Sequence, residues 1–497
     1  MNLKIVFYYL GWVLNIEAVL MLLPCAVSLV YGDGMLPYFL VTMIICTVIG
    51  FMTAHKKPAD TVFYAREGFL TVALTWVMLS FFGALPFWFS RQIPSLVDAM
   101  FETISGFTTT GASILSDVEA LSPSLLMWRS FTHWVGGMGV LVFVLAILPL
   151  AGGGYSMYLM RAESPGPSVG KLTPKVKNTA KILYLIYLVM TVLQMILLLI
   201  GGMPLFDSLA TSFGTAGTGG FGIWNDSIAH YNSYYLQGVI TVFMILFGVN
   251  FNVYYLLSIR KWKEALQCDE ARVYFGIIAC SILVITINIR AMFPTLFDAF
   301  HHAAFQVGTI ITTTGFSTVD FDQWPELSKT ILVGLMLVGA CAGSTGGGMK
   351  VSRFIIWFKE IKKEIASLLH PRSVKVLKTE GKVIEPSVVS SVNAYFITYF
   401  FLYAASVLIV SLDNFDFTSN FTAVAATLNN IGPGLGAVGP TCNFGVFSIL
   451  SKLVLMFDML AGRLELFPML VLFHPVLWKE TWEGGKRRRR LKRKKVS

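Results

Sequence analysis

Charge is scarce in this chain. Asp, Glu, Lys and Arg supply 13% of its 497 residues, against about 25% in an ordinary soluble protein. Length alone would imply about three soluble domains, but 55% of the residues are apolar and 14% are aromatic. Stretches such as 182–199, 236–257 and 331–341 hold no charge at all, and a helix needs about 20 such residues to cross a bilayer. Most of the chain is therefore expected in lipid. Its first apolar run is too long for a signal peptide and no small-residue cleavage site follows, so it reads as a span. Paired cysteines are also missing. Cys25, Cys46, Cys268, Cys280, Cys341 and Cys442 form no C-x-x-C motif, which leaves disulfide and metal frameworks unsupported and predicts small buried hydrophobes. A phosphate loop is lacking too: Gly343-Ser344-Thr345-Gly346-Gly347-Gly348 runs into Met349-Lys350 rather than Lys-Ser or Lys-Thr, and no strand precedes it. His301 and His302 are adjacent, whereas helical zinc ligands favour i, i+4 spacing. With no nucleophile–base pattern either, enzymes and bound cofactors are not expected.

The net charge of +10 raises nucleic acid as a partner, but the placement of that charge argues against it. Segments 56–66, 161–181, 260–272, 350–382 and 479–495 hold 31 of the 38 Lys and Arg. They fall at every second end of the apolar spans, while Asp33, Asp117, Glu119, Asp226, Asp320, Asp322 and Glu326 fall at the others. Cytoplasmic loops carry such an excess of Lys and Arg, so the basic ends, both termini included, are expected in the cytoplasm of a multi-pass plasma-membrane protein.

What the chain does contain is a repeated strip. Ile311-Thr312-Thr313-Thr314-Gly315-Phe316 has a near copy in Thr108-Thr109-Thr110-Gly111-Ala112, a relaxed one in Gly217-Thr218-Gly219-Gly220-Phe221 and a divergent one in Asn429-Asn430-Ile431-Gly432-Pro433. The strip glycines lie 109, 95 and 117 residues apart, which indicates a tandem unit. Each unit reads as span, half-helix, strip, span: 68–90, 95–107 and 125–150; then 181–200, 205–216 and 234–260; then 273–289, 295–311 and 328–358; then 388–412, 417–428 and 447–478. A two-span hairpin, 3–30 and 37–54, precedes them. The expected fold is all-α and polytopic, with ten full spans and four re-entrant segments in pseudo-fourfold arrangement. The expected divisions are 1–58 for the hairpin and 59–160, 161–268, 269–382 and 383–497 for the four units. Asp98, Asp207, Asp298 and Asp416 stand near the half-helix starts, where a carboxylate caps free N–H groups. They lie 13, 13, 17 and 16 residues before the strip glycines, so units three and four are expected to have half-helices one turn longer. Irregular backbone at membrane depth is tolerated only where protein buries it or it lines a water-filled path, and carbonyls on such a path can replace the water around a cation.

Four such units resemble the Trk/Ktr/HKT superfamily of potassium transporters, and the two-span extension resembles its TrkH type. The resemblance covers essentially the whole chain. It is carried further by His133-Trp134-Val135-Gly136-Gly137-Met138-Gly139, Ala342-Gly343-Ser344-Thr345-Gly346-Gly347-Gly348-Met349-Lys350, Leu428-Asn429-Asn430-Ile431-Gly432-Pro433-Gly434-Leu435-Gly436 and Leu460-Ala461-Gly462-Arg463-Leu464-Glu465. It implies that Thr109-Thr110-Gly111, Thr218-Gly219-Gly220, Thr313-Thr314-Gly315 and Asn430-Ile431-Gly432 form a filter for potassium as the transported ion. Members with Ser at the first glycine position tend to admit sodium, so Gly111 implies potassium preference. It further implies a homodimer carrying a TrkA-type cytoplasmic nucleotide-binding subunit.

Three features inside apolar runs invite two readings each. The glycines from 339 to 348 cost about 1 kcal/mol each against Ala in a helix, so they mark either close helix packing or a broken helix forming a loop under the strips. The resemblance implies that this loop, with Gly343, Gly346, Gly347 and Gly348, is the gate. Lys350 either reaches back to it or anchors a cytoplasmic end. Arg463 would cost about 2.5–3.5 kcal/mol at mid-membrane. It is expected to find loop carbonyls, either as a positive barrier holding the loop closed or as a structural staple. Glu17 and Asp458 are the buried acids that would titrate if potassium were moved together with protons or sodium, the alternative to channel-like uptake. For Glu17 the plainer reading, an acid paired or protonated near a bundle interface, is the one favoured. The basic tail, 486–495, reads as an anchor to anionic lipid.

Overall fold

The computed structural model describes residues 2–58, 65–137, 139, 176–370, 376–379 and 382–475. Among these, six helices are long and apolar enough to cross a membrane: Leu3–Tyr31, Leu36–Ala54, Arg66–Phe89, Lys181–Ile200, Asp269–Met292 and Pro386–Asp413. They are the two hairpin helices and the first helix of each unit. A two-residue strand pair, Lys378–Thr379 with Lys382–Val383, is the β-structure among the described residues. The far part of unit one's second helix, the segment 161–175 and the basic tail lie outside them.

The hairpin packs on small residues. A side chain on Gly11 would stand 2.8 Å from the Gly50 carbonyl oxygen, so the two helices touch backbone to backbone. In the hairpin turn, burial works to raise the Asp33 carboxyl. Hydrogen bonds from Ser124, Ser28 and the Met35 N–H outweigh it and hold the group below the usual carboxylate range. Ser124 N–H donates at 3.0 Å, which ties the turn to unit one. Glu17 is 0% exposed, and neither of its oxygens has a hydrogen-bond partner among the described residues. Of the two states expected of it, paired or protonated, the paired one is therefore not seen.

The half-helices are Leu96–Phe107, Leu205–Gly217, Leu296–Ile311 and Phe417–Leu428. Unit three's is 16 residues long, as its spacing predicts, but unit four's is 12, like unit one's. The reason is the acid's position. Asp98 is the third residue of its helix, whereas Asp416 precedes its helix and accepts from Ser419 N–H. Capping accounts for Asp416 and for Asp298, which shares a capping box with Thr295. It does not account for the other two: Asp98 binds Lys452 Nζ at 2.7 Å, and Asp207 accepts from the Trp224 indole and the Tyr231 hydroxyl.

The second helices are where expectation and structure part. They are expected to cross fully in units one, two and four, yet in units two, three and four the helical stretches are Tyr234–Phe247, Glu326–Val338 and Ile449–Arg463. Unit one's starts as Pro123–Gly137, and the rest of its expected span lies outside the described residues. At about 1.5 Å per residue, the 13 to 15 residues of units two, three and four fall well short of the roughly 30 Å hydrocarbon layer. Unit two turns by 92° into Phe251–Ser258. Unit three enters an irregular loop before Val351–Leu369. Unit four breaks at Glu465 and Leu466, both with positive φ, before Phe467–Val471. Breaks at this depth expose helix-end carbonyls that lipid cannot satisfy. The Tyr274 and Tyr254 hydroxyls take two of them, Ile245 O at 3.1 Å and Leu246 O at 2.5 Å.

Candidate functional site

All four strips leave their half-helices in the same backbone conformation. The first strip residue is left-handed: φ is 55° at Thr109, 54° at Thr218, 59° at Thr313 and 55° at Asn430. Two residues later φ is 80° at Gly111, 74° at Gly220, 87° at Gly315 and 100° at Gly432. A left-handed non-glycine residue costs about 1–2 kcal/mol, and β-branched ones are true outliers there, so a common force must hold the turn. The amide between the two positions supplies it. Thr110 N–H donates to Ser105 O at 2.8 Å, Gly219 N–H to Gly214 O at 2.9 Å, Thr314 N–H to Thr309 O at 2.8 Å and Ile431 N–H to Ala426 O at 2.8 Å. No peptide among the described residues is cis. The carbonyl on the other side of each of these amides therefore faces away from its half-helix.

The strips also close on one another in chain order. A Cβ on Gly111 would lie 2.0 Å from the Gly219 carbonyl oxygen. On Gly220 it would lie 1.9 Å from Thr314 O, on Gly315 2.0 Å from Ile431 O, and on Gly432 2.9 Å from Thr110 O. Each glycine thus abuts the carbonyl of the next strip, and the fourth returns to the first. Above the ring opens a cavity of about 190 Å³ lined by Gly111, Gly220, Gly315 and Gly432, with Arg129 and Cys442 in its wall. Cys442 and Cys280 are exposed, unlike the buried cysteines the apolar runs predict.

The strip hydroxyls do not all face the ring. Thr108 bonds Thr110 at 2.8 Å and donates to Ile104 O at 2.6 Å. Thr312 bonds Thr314 at 2.8 Å and donates to Gly308 O at 2.7 Å. These pairs brace the turns of strips one and three. In strip four, Asn429 Nδ2 donates to the Tyr399 hydroxyl at 2.8 Å and to Ala425 O at 2.9 Å. Strip two has glycine at both corresponding positions and meets His133 instead.

Beneath the ring lies the Gly-rich loop, which bonds units two, three and four directly and is linked to unit one through Arg463. Gly347 N–H donates to Thr313 Oγ1 at 2.6 Å, and Gly348 N–H to Asn429 O at 3.1 Å. Cys341 N–H and Thr345 N–H donate to Gly248 O and Phe247 O, and Phe251 N–H donates to Gly343 O. Arg463 Nη1 donates to Thr345 O at 2.9 Å and Thr109 Oγ1 at 3.1 Å. Its Nη2 donates to Gly136 O at 2.5 Å and Gly137 O at 2.7 Å. Hydrogen bonds to a charged group contribute about 1.5–3 kcal/mol each, so four of them more than offset the insertion cost above. Lys350 reaches back, its Nζ donating to Gly346 O and Gly347 O.

Two residues at this site, Glu270 and Asn250, carry no motif of their own, and a third, His133, opens the His133–Gly139 motif, whose role the sequence does not show. Glu270 Oε1 accepts from Ala342 N–H at 2.7 Å and Ser352 N–H at 3.0 Å, clasping both ends of the loop. Asn250 Nδ2 reaches Glu270 Oε2 at 3.5 Å. His133 spans units one and two. The sequence signal for Glu270 is weak: it is one of three acids, with Glu264 and Asp269, among the four Lys and Arg of segment 260–272. His301 and His302 stand apart, bonded to Gln237 and Thr318.

Comparison with known proteins agrees with this architecture. Residues 35–480 match the family described as TrkH, cation transport protein. The Trk system potassium uptake protein TrkH of Salmonella typhimurium is 37% identical over 467 residues, covering 93% of this chain and 96% of that one. The Trk system potassium uptake protein TrkG of Escherichia coli is 32% identical over 485 residues, covering 96% and 99%. The crystal structure of the potassium transporter TrkH from Vibrio parahaemolyticus superposes with a TM-score of 0.85 at 34% identity, covering 96% of this chain and all of that one. By fold, strip pattern and similarity over nearly its full length, this chain is an integral membrane protein that belongs to the TrkH family of cation transport proteins.

Proposed function

We propose that this protein takes up potassium across the cytoplasmic membrane through a filter made by the four strips, with the loop beneath as its gate. The observation that carries the reading is ring closure, each strip glycine abutting the next strip's carbonyl. Thr109, Thr110, Gly111, Thr218, Gly219, Gly220, Thr313, Thr314, Gly315, Asn430, Ile431 and Gly432 then present main-chain oxygens that take the place of water around the ion. Half-helix C-termini aimed at the same lane add negative partial charge. The membrane potential drives the ion inward, about 2.3 kcal/mol per charge per 100 mV. The units divide at 59–160, 161–268, 269–382 and 383–497, and the basic ends lie in the cytoplasm.

In the gate, Arg463 and Lys350 place positive charge below the ring and hold Gly343, Gly346, Gly347 and Gly348 across the lane. Glu270 fastens both ends of the loop. The helix Val351–Leu369 continues directly from it, so a TrkA-type nucleotide-binding subunit docked there can pull the loop open. A homodimer is the assembly proposed, and the basic tail meets anionic lipid. Flux of potassium, rubidium and sodium from purified protein in liposomes, with and without the partner, tests the reading. Potassium uptake that follows its own gradient supports it, and sodium carried as readily as potassium overturns it. The coupled-symport alternative draws on Asp458, 0% exposed and bonded at Oδ1 by the Ser406 hydroxyl at 2.8 Å. Proton movement in step with potassium in the same liposomes would favour it.

A further inference from the structure

Strip two raises a question that the ring alone does not answer. Where strips one and three carry a threonine pair, it has Gly217 and Gly219, yet its φ values and its helix-end hydrogen bond match theirs. Something else must brace it. A Cβ at Gly219 would meet the His133 ring, 2.2 Å from Nδ1 and 2.3 Å from Cγ. At Gly217 it would meet the His133 carbonyl oxygen, also at 2.2 Å. The imidazole occupies the space where a threonine side chain of strip two would otherwise go.

The ring is also bonded at both nitrogens, on two different units. Its Nδ1 lies 2.8 Å from Gly106 O, at the end of half-helix one. A carbonyl can only accept, so Nδ1 carries the proton. Its Nε2 accepts from Phe221 N–H at 3.2 Å, the residue directly after Gly220. His133 is 0% exposed, and the Phe221 ring lies 4.2 Å away, centroid to centroid. One turn earlier on the same helix face, Arg129 repeats the bridge. Its Nε meets Glu102 of half-helix one at 2.5 Å, its Nη1 donates to Gly222 O at 2.7 Å, and its guanidinium lies 3.5 Å from the Phe221 ring centroid. Two rungs therefore tie half-helix one to the exit of strip two.

We propose that His133 is a specificity-determining positioning residue that fixes the spacing between strips one and two, in place of the threonine pair that strip two lacks. This deepens the filter reading above and rests on it. The tie runs from Gly106 O, at the end of half-helix one, to Phe221 N–H, directly after Gly220, with the ring against Gly219, and so sets how far strips one and two stand apart. A ring of fixed width discriminates potassium from the smaller sodium; one free to contract or tilt does not.

The test is a substitution cycle read as the sodium-to-potassium flux ratio in liposomes. His133→Ala removes both bonds and the bulk, and the ratio is expected to rise about tenfold, the scale of one buried hydrogen bond lost. Gly219→Thr alone forces a side chain into the imidazole and is expected to raise the ratio as well. Combined, H133A and G219T refill the space, and the ratio is expected to return most of the way to wild type. A wild-type ratio in His133→Ala, or a double variant no better than either single one, overturns the proposal. If His133→Ala is not recovered from membranes, Gly219→Ala in the native background serves, and an unchanged ratio there overturns it equally. A wild-type protein without potassium preference would instead overturn the filter reading itself.

Discussion

Strips one and three are braced from within, strips two and four from outside. Thr108–Thr110 and Thr312–Thr314 close on themselves. His133 comes from the helix behind half-helix one, and Tyr399, the partner of Asn429, comes from unit four's first helix. All four nevertheless hold the same left-handed turn. The backbone conformation is thus the constant element and the side chains around it are interchangeable supports. Threonine content is a poor guide to which strips belong to the ring. Glycine position and the residue two before it are better guides.

The most disruptive way to break that equivalence is to attack the constant element. Gly111→Ser or Gly315→Ser places a Cβ about 2 Å from a neighbouring carbonyl. Overpacking of this kind costs about 1–3 kcal/mol, so the potassium preference over sodium is expected to fall about 10- to 100-fold in liposome flux. An unchanged preference would mean the strips do not form a closed ring. Next in size is Arg463→Ala, which leaves Thr345 O, Gly136 O and Gly137 O without their donor. Potassium flux in the absence of a partner subunit is expected to rise about tenfold, since at least one charge-assisted bond to the loop is lost. Glu270→Gln keeps the shape but weakens both clasps, and about a threefold rise in the same flux is expected from two bonds no longer charge-assisted. Flux equal to wild type would remove Glu270 from the gate. Thr314→Val deletes one internal brace and is expected to lower the midpoint of thermal unfolding in detergent by the equivalent of about 1 kcal/mol. Smallest is Tyr399→Phe. Asn429 keeps its bond to Ala425 O, so a shift of less than about 1 kcal/mol is expected. A larger shift than in Thr314→Val would show external bracing to be the stronger kind.

Much of this architecture is legible in the sequence because lipid enforces it. Long charge-free runs, alternating basic and acidic ends and four glycines near a hundred-residue spacing point to the half-helices and the ring. Arg463 meets one loop carbonyl, Thr345 O, as its place in an apolar run demands, though Gly136 O and Gly137 O of unit one take its other nitrogen. The Gly-rich run marks unit three's broken helix, but the breaks in units two and four are not legible. A lone Gly248 or Gly462 is common in a span, and the bend depends on carbonyl partners such as Tyr274 and Tyr254, which come from elsewhere in the chain or lie beyond the break. Asp98 and Asp207 mislead for a similar reason: a place near a helix start suggests capping, but Lys452, Trp224 and Tyr231 claim their carboxylates through the fold. Glu270 and His133 act on backbone groups up to 88 residues away, and backbone groups leave no mark in sequence.

The central claim is that four pieces of main chain surround one ion. Anomalous scattering from rubidium in crystals of the protein tests it most directly. The account predicts a peak on the ring axis, enclosed by carbonyl oxygens from Thr110, Gly219, Thr314 and Ile431 or their strip neighbours. Rubidium taken up by the protein in liposomes, but absent from that axis and bound elsewhere in the crystal, would contradict it.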